Sequence, residues 1–64
     1  MDIQEIKQAV DDGYVVRWAN RNYTVKRDRI GQYLIVCDNG YCVGLTNMAG
    51  DRLNGRPDQF FVEG

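Results

Sequence analysis

From Tyr14 to Thr46 the apolar residues recur at every second position, in runs separated by turns rich in Asn, Asp and Gly. A period of two is the signature of β-strands, and turns this short join only antiparallel neighbours. Because side chains alternate between the two faces, the register of each hairpin decides which residues are buried. With a turn at Asn20-Arg21, Trp18 faces Tyr23 and Val16 faces Val25. A symmetric loop at Asp28-Arg29-Ile30-Gly31 sets Arg27 opposite Gln32, Val25 opposite Leu34 and Tyr23 opposite Val36. Asn39-Gly40, a strong two-residue hairpin signal, pairs Cys37 with Cys42, Val36 with Val43 and Leu34 with Leu45. These turns together predict one buried face made of Tyr14, Val16, Trp18, Tyr23, Val25, Leu34, Val36, Val43 and Leu45.

The first dozen residues follow a different period. Ile3, Ile6, Ala9 and Val10 form an apolar stripe at helical spacing. Asp2 is a suitable N-cap with Glu5 three residues on, as in a capping box, and Gly13 is a natural stop. A helix over residues 3–12 follows, and its stripe is expected to cover the buried sheet face. After Thr46 the residues favour turns, up to the apolar run Phe60-Phe61-Val62, read as a short strand or an ordered tail. The expected fold is α+β: an N-terminal helix packed on a four-stranded antiparallel meander, with an irregular C-terminal segment. Residues 1–64 make a single small domain.

A chain this short buries only about 60% of its unfolded surface, and such domains often add disulfides, metals or oligomerisation. The sequence has no histidine, and its two cysteines are too few for a structural zinc site or a disulfide scaffold. No metal or other cofactor is expected. Residues 1–5 show no basic region leading into an apolar run, and Leu34-Ile35-Val36-Cys37 is far too short to span a bilayer. A cytoplasmic protein with reduced thiols, and no membrane partner, is the expectation.

The order Trp18-x-Asn20-x-x-Tyr23-x-Val25, then Gly31-Gln32-Tyr33-Leu34-Ile35, Asn39-Gly40, Gly44-Leu45-Thr46 and Leu53-Asn54-Gly55, resembles short uncharacterised proteins of phages, prophages and mobile elements. The resemblance spans most of the chain and rests on strand and turn residues. It implies an accessory protein that acts by binding, and it carries over no catalytic residue.

Several clusters bear on chemistry. Cys37 and Cys42, read as cross-strand neighbours, suggest either a redox pair or two small half-buried residues in a reducing compartment. Asp11-Asp12 sits at a helix end, where adjacent residues do not share a face, so a solvated terminus is favoured over paired acid–base groups. Gly50-Asp51-Arg52-Leu53-Asn54-Gly55 lacks the lysine and the following helix of a phosphate loop. With no histidine, no nucleophile–base pair and little volume for a pocket, an enzyme is not expected.

Two binding readings remain. Net charge is −1, from eight Lys/Arg against nine Asp/Glu, yet residues 17–29 hold Arg17, Arg21, Lys26, Arg27 and Arg29 against Asp28 alone. That basic hairpin is a candidate for nucleic acid, although its obvious stacking residues, Trp18 and Tyr23, fall on the buried face. The face away from the helix carries Val15, Arg17, Ala19, Asn22, Thr24 and Lys26, and then the apolar block Tyr33, Ile35, Cys37 and Cys42. Either Phe60-Phe61-Val62 folds back over that block, or it is an apolar patch with a polar rim, which marks a binding surface. On the second reading a protein partner, or a second copy of the chain, docks on Tyr33 and Ile35, with Arg17, Thr24 and Lys26 as the rim.

Overall fold

The computed structural model describes residues 1–63. Helix α1 spans Ile3–Asp11. Five strands follow: β1 (Val15–Trp18), β2 (Asn20–Arg27), β3 (Tyr33–Cys37), β4 (Cys42–Gly44) and β5 (Phe60–Glu63), with a 3₁₀ turn at Pro57–Gln59 leading into the last. They form one antiparallel sheet in the order β4-β3-β2-β1-β5. The fold is therefore α+β, as expected, with one strand more than the sequence suggested.

The helix begins and ends as its sequence requires. The Asp2 carboxylate accepts from the Glu5 N–H at 2.8 Å, and the Glu5 carboxylate accepts from the Asp2 N–H at 3.0 Å. Such a cap contributes about 0.5–2 kcal/mol. At the other end Gly13 takes a left-handed conformation (φ 90°), the Gly13 N–H reaches Val10 O and the Tyr14 N–H reaches Ala9 O. This is a Schellman stop. The helix lies against β1 and β2 and buries Ile6 completely. With Ile6, the core consists of Val16, Val25, Ile35, Leu45 and Phe60.

Register departs from expectation at two turns. Val16 faces Val25 as predicted, but β2 and β3 pair Val25 with Ile35, Tyr23 with Cys37 and Arg27 with Tyr33. The reason is a three-residue loop. Asp28 N–H bonds Gln32 O, so the pair 28/32 closes residues 29–31, with Gly31 left-handed at φ 87°. The Asp28 carboxylate also accepts from the N–H groups of Ile30 and Gln32. The Asn39-Gly40 turn repeats the device. Cys37 N–H bonds Tyr41 O, Gly40 is left-handed at φ 92°, and Val36 rather than Cys37 is paired with Cys42.

Each turn shifts pairing by one residue. The first shift turns β3 over, and the second turns β4 back. So Val43 and Leu45 keep the predicted side, and Leu45 is fully buried. Leu34 and Val36, predicted to be core, point away from the helix, while Tyr33, Ile35 and Cys37 point toward it. Cys37 and Cys42 are not a facing pair and lie on opposite sides of the sheet. Tyr14, also predicted to be core, is 60% exposed.

The first hairpin also turns elsewhere than expected: Asn20 and Arg21 belong to β2, and the chain reverses at Ala19 between Trp18 and Asn20. A break in register follows Arg17, and Ala19 is left-handed at φ 63°. Trp18 is consequently not the direct partner of Tyr23, yet their rings meet edge-to-face with centroids 4.9 Å apart. Phe60-Phe61-Val62, instead of folding over the second face, extends the sheet beside β1, with Phe60 opposite Trp18 and Val62 opposite Val16.

Candidate functional site: the open face of the sheet

The only α-helix among the described residues covers one face of the sheet. Strand pairing places Val15 and Arg17, Thr24 and Lys26, Leu34 and Val36, Cys42 and Gly44, and Phe61 and Glu63 on the other. The β1–β2–β5 part of this face is organised by charge. Arg17 donates to the Glu63 carboxylate at 2.7 and 3.1 Å, to the Thr24 hydroxyl at 2.6 Å and to the Arg21 carbonyl at 3.1 Å. Arg21 adds a second contact to Glu63 at 3.1 Å. The hydrogen bond from Arg17, reinforced by the charges of Arg17 and Arg21, holds the Glu63 carboxyl below the usual glutamate range.

The β3–β4 part is of another kind. Its outward positions are Leu34, Val36, Cys42 and Gly44, none of which offers a charge or a strong hydrogen-bonding group. Leu34 and Val36 are half-buried and Cys42 is exposed. Lys26, beside Leu34 in the pairing, is exposed at the edge of this patch. Around the Leu34 end of the sheet lies a cleft of about 460 Å³, lined from the helix side by Lys7 and Tyr33 and otherwise by Leu34, Gly44, Asn47 and Met48. Met48 stands fully exposed on the rim. Its loop is braced by hydrogen bonds: Asn47 accepts from the N–H groups of Gly50 and Asp51 through its side-chain oxygen and donates to the Asp51 carboxylate at 2.9 Å.

The predicted site residues thus separate into two groups. Arg17, Thr24 and Lys26 share the open face, as expected. Tyr33 and Ile35 do not join them. Ile35 is 1% exposed in the core. Tyr33 sits on the helix side, where its hydroxyl donates to the Asp11 carboxylate at 2.8 and 2.9 Å. Lys7 and Arg27 lie over its ring at 5.2 and 5.9 Å. The bond to Asp11, with burial and the carboxylate charge, raises the Tyr33 hydroxyl above its ordinary value. Tyr33 is a brace between helix and sheet. Leu34 and Val36 take the places on the open face, and sequence reasoning missed them there because it had assigned them to the core. The available signal was that every residue of β3 is apolar or aromatic.

Several acidic groups elsewhere are committed locally: Asp2 caps the helix, Asp11 holds Tyr33, Asp28 closes its turn and Asp58 pairs with Arg56 at 3.1 Å. Among the described residues no three or more His, Cys, Asp or Glu side chains are grouped as metal ligands, and no helix is long and apolar enough to cross a membrane. No protein-family model, no curated protein and no solved structure matches the chain significantly.

Proposed function

We propose that the chain is a non-enzymatic accessory module that binds a protein partner through the open sheet face at Leu34, Val36 and Cys42, with Lys26 on the rim. One observation carries this reading. β3 is apolar on both faces, the pattern of a strand covered on both sides, yet the one α-helix among the described residues lies on one side only. An apolar patch with a polar rim is the usual signature of a binding surface. The resemblance to short phage and mobile-element proteins agrees with a role in binding. The commitment of the carboxylates to caps, turns and ion pairs, with no histidine in the chain, argues against catalysis. Exposed Lys26 favours a partner with an acidic rim, since such charges steer encounter more than they add affinity.

The basic hairpin is a weaker foundation for nucleic-acid binding. Arg17 and Arg21 are paired with Glu63, Arg27 lies 3.8 Å from Asp11, and Trp18 packs beside the core.

The test is a partner purified with the tagged chain and then titrated against it calorimetrically. Val36→Glu is expected to weaken binding at least tenfold while the thermal melt stays near that of the parent. Equal affinity of Val36→Glu and parent for the partner refutes the surface. Binding to random oligonucleotides with a steep salt dependence, unaffected by Val36→Glu, supports the nucleic-acid reading instead.

A further inference from the structure

The two edges of the sheet are treated differently by the chain. On the β4 side the edge is short and partly covered. The Asn54 side chain donates to the carbonyls of Gly44 and Thr46, the Asn54 N–H reaches Leu45 O, and Thr46 bridges Leu53. These contacts occupy the Gly44 carbonyl and the segment that continues β4, and so cover part of the edge at which another chain would pair.

Among the described residues the β5 edge has no such cover. Gln59 O accepts from Ala19 N–H, and the same register continues through Arg17 opposite Phe61. Alternation along an antiparallel ladder therefore turns the backbone groups of Phe60 and Val62 away from β1. The Phe60 N–H is satisfied by Pro57 O. That leaves the Phe60 carbonyl and the Val62 N–H and carbonyl facing outward. β5 contains no proline and no lysine, and its one charged residue, Glu63, is turned into the ion pairs with Arg17 and Arg21. Apart from its shortness, this edge lacks the proline, the lysine and the covering segment that usually protect such a strand.

Apolar side chains gather at this same edge. Half of the large hydrophobic residues that stand exposed lie on β5 or the adjoining start of β1: Tyr14, Val15, Phe61 and Val62, the last two 38% and 41% exposed. The others are spread over loop tips and β4. Register puts Val15 and Phe61 on the open face and Val62 on the helix side, so the edge is apolar above and below its unpaired backbone.

We infer that β5 pairs antiparallel with β5 of a second copy of this chain, joining two sheets into one about a two-fold axis perpendicular to them. The free groups are compatible with a register centred on Phe61. Centring on Phe61 lets each Val62 N–H donate to the Phe60 carbonyl of the other copy, and it needs nothing from the occupied Phe60 N–H. It also sets the two Phe61 rings side by side on the open face, an aromatic cross-strand pair. Charge does not oppose the contact. Glu63 is neutralised within its own copy, and the chain carries a net charge of only −1. A core of six residues is small, and joining copies is a common way for such domains to gain buried surface. The strand is short, so the dimer belongs to the weak, concentration-dependent class. This edge is separate from the Leu34–Val36 patch, and the two surfaces stand or fall independently.

Sedimentation velocity of the full chain, from about 1 μM to about 1 mM, tests the pairing. The mass should rise with concentration from 7.4 kDa toward twice that value. Val62→Pro removes an outward N–H and leaves the β1–β5 ladder intact, and it should hold the chain monomeric with an unchanged circular-dichroism spectrum. Val62→Lys, which keeps the N–H but adds a repelling charge, should act alike and serves if the proline variant misfolds. Val36→Glu should leave the dimer in place. A chain that is monomeric throughout, or a dimer lost in Val36→Glu but retained in both Val62 variants, overturns the proposal. So does a monomer that takes up a partner peptide at β5 without ever pairing with itself.

Discussion

Replacing Ile35 and Val36 by alanine, one at a time, separates the two possible faces of β3. Ile35 is 1% exposed and packed among Ile6, Val16, Val25, Leu45 and Phe60. Ile35→Ala removes roughly three CH₂ equivalents, which at about 0.8 kcal/mol each is about 2.4 kcal/mol of transfer free energy. The cavity left behind adds to this, for a total of about 2–5 kcal/mol. A domain of this size has only about 3–5 kcal/mol from its core, so the variant should be close to unfolded at room temperature. Val36 is half-buried and meets solvent on its outer side. Val36→Ala loses about two CH₂ equivalents from a site already partly wet, and should cost under about 1 kcal/mol. Urea denaturation followed by far-ultraviolet circular dichroism and by Trp18 fluorescence measures both. A larger loss for Val36→Ala than for Ile35→Ala refutes the register and returns Leu34 and Val36 to the core.

Gly55→Ala should destabilise by about 1–3 kcal/mol, the range for overpacking, because a Cβ at Gly55 would lie 2.9 Å from Trp18 Cε2 and closer still to the indole nitrogen. Trp18 has little freedom to yield, being hydrogen-bonded to Gln59 at 3.2 Å and packed on Tyr23, so a shifted Trp18 emission should accompany the loss. An unchanged melt and spectrum would show that the segment before β5 does not dock on the indole. The lowered Glu63 carboxyl contributes stability above its unfolded value of about 4.3, and that stability is lost as pH falls through the lower folded value. The difference in stability between the parent and Glu63→Gln should therefore be full at neutral pH and shrink below about pH 4.3, whereas a gap that widens in acid contradicts the ion pair. For the thiols, Cys42 is exposed and Cys37 half-buried on the opposite face. Ellman's reagent should label Cys42 faster, and mild oxidation of the folded chain should give no Cys37–Cys42 disulfide, a bond whose detection by mass spectrometry would restore the facing pair.

Much of this fold was legible because its signals are local. Asp2, Glu5 and Gly13 bound the helix through hydrogen bonds to near neighbours, and the structure contains those same bonds. Val16 opposite Val25 was legible from alternation on both sides of one turn. What failed was the place of the first turn, which lies at Ala19 and not at Asn20-Arg21, and the count of residues in the next two loops. Asp28-Arg29-Ile30-Gly31-Gln32 and Cys37-Asp38-Asn39-Gly40-Tyr41 share a plan, with a glycine in the left-handed conformation as the third loop residue. Reading Asn39-Gly40 as a two-residue turn gave glycine a role it can fill, but Asp38 lengthens the loop by one. The fifth strand was only half legible, since Phe60-Phe61-Val62 looks apolar whether it lies over a sheet or beside it.

The loop count went undetected because β3 cannot report its own orientation. Tyr33, Leu34, Ile35, Val36 and Cys37 fill both faces with apolar groups, so turning the strand over exchanges one set of hydrophobic residues for another. On β2 the same slip would have buried Thr24 and Lys26 and been excluded at once. Two such slips in succession also cancel, which is why Leu45 was rightly assigned to the core by a pairing that was wrong in every member of β3. The face that carries the proposed interaction thus survives the correction while its residues change. Whichever way β3 is turned, an apolar set faces away from α1, and that invariance, more than any one register, favours a partner on this face.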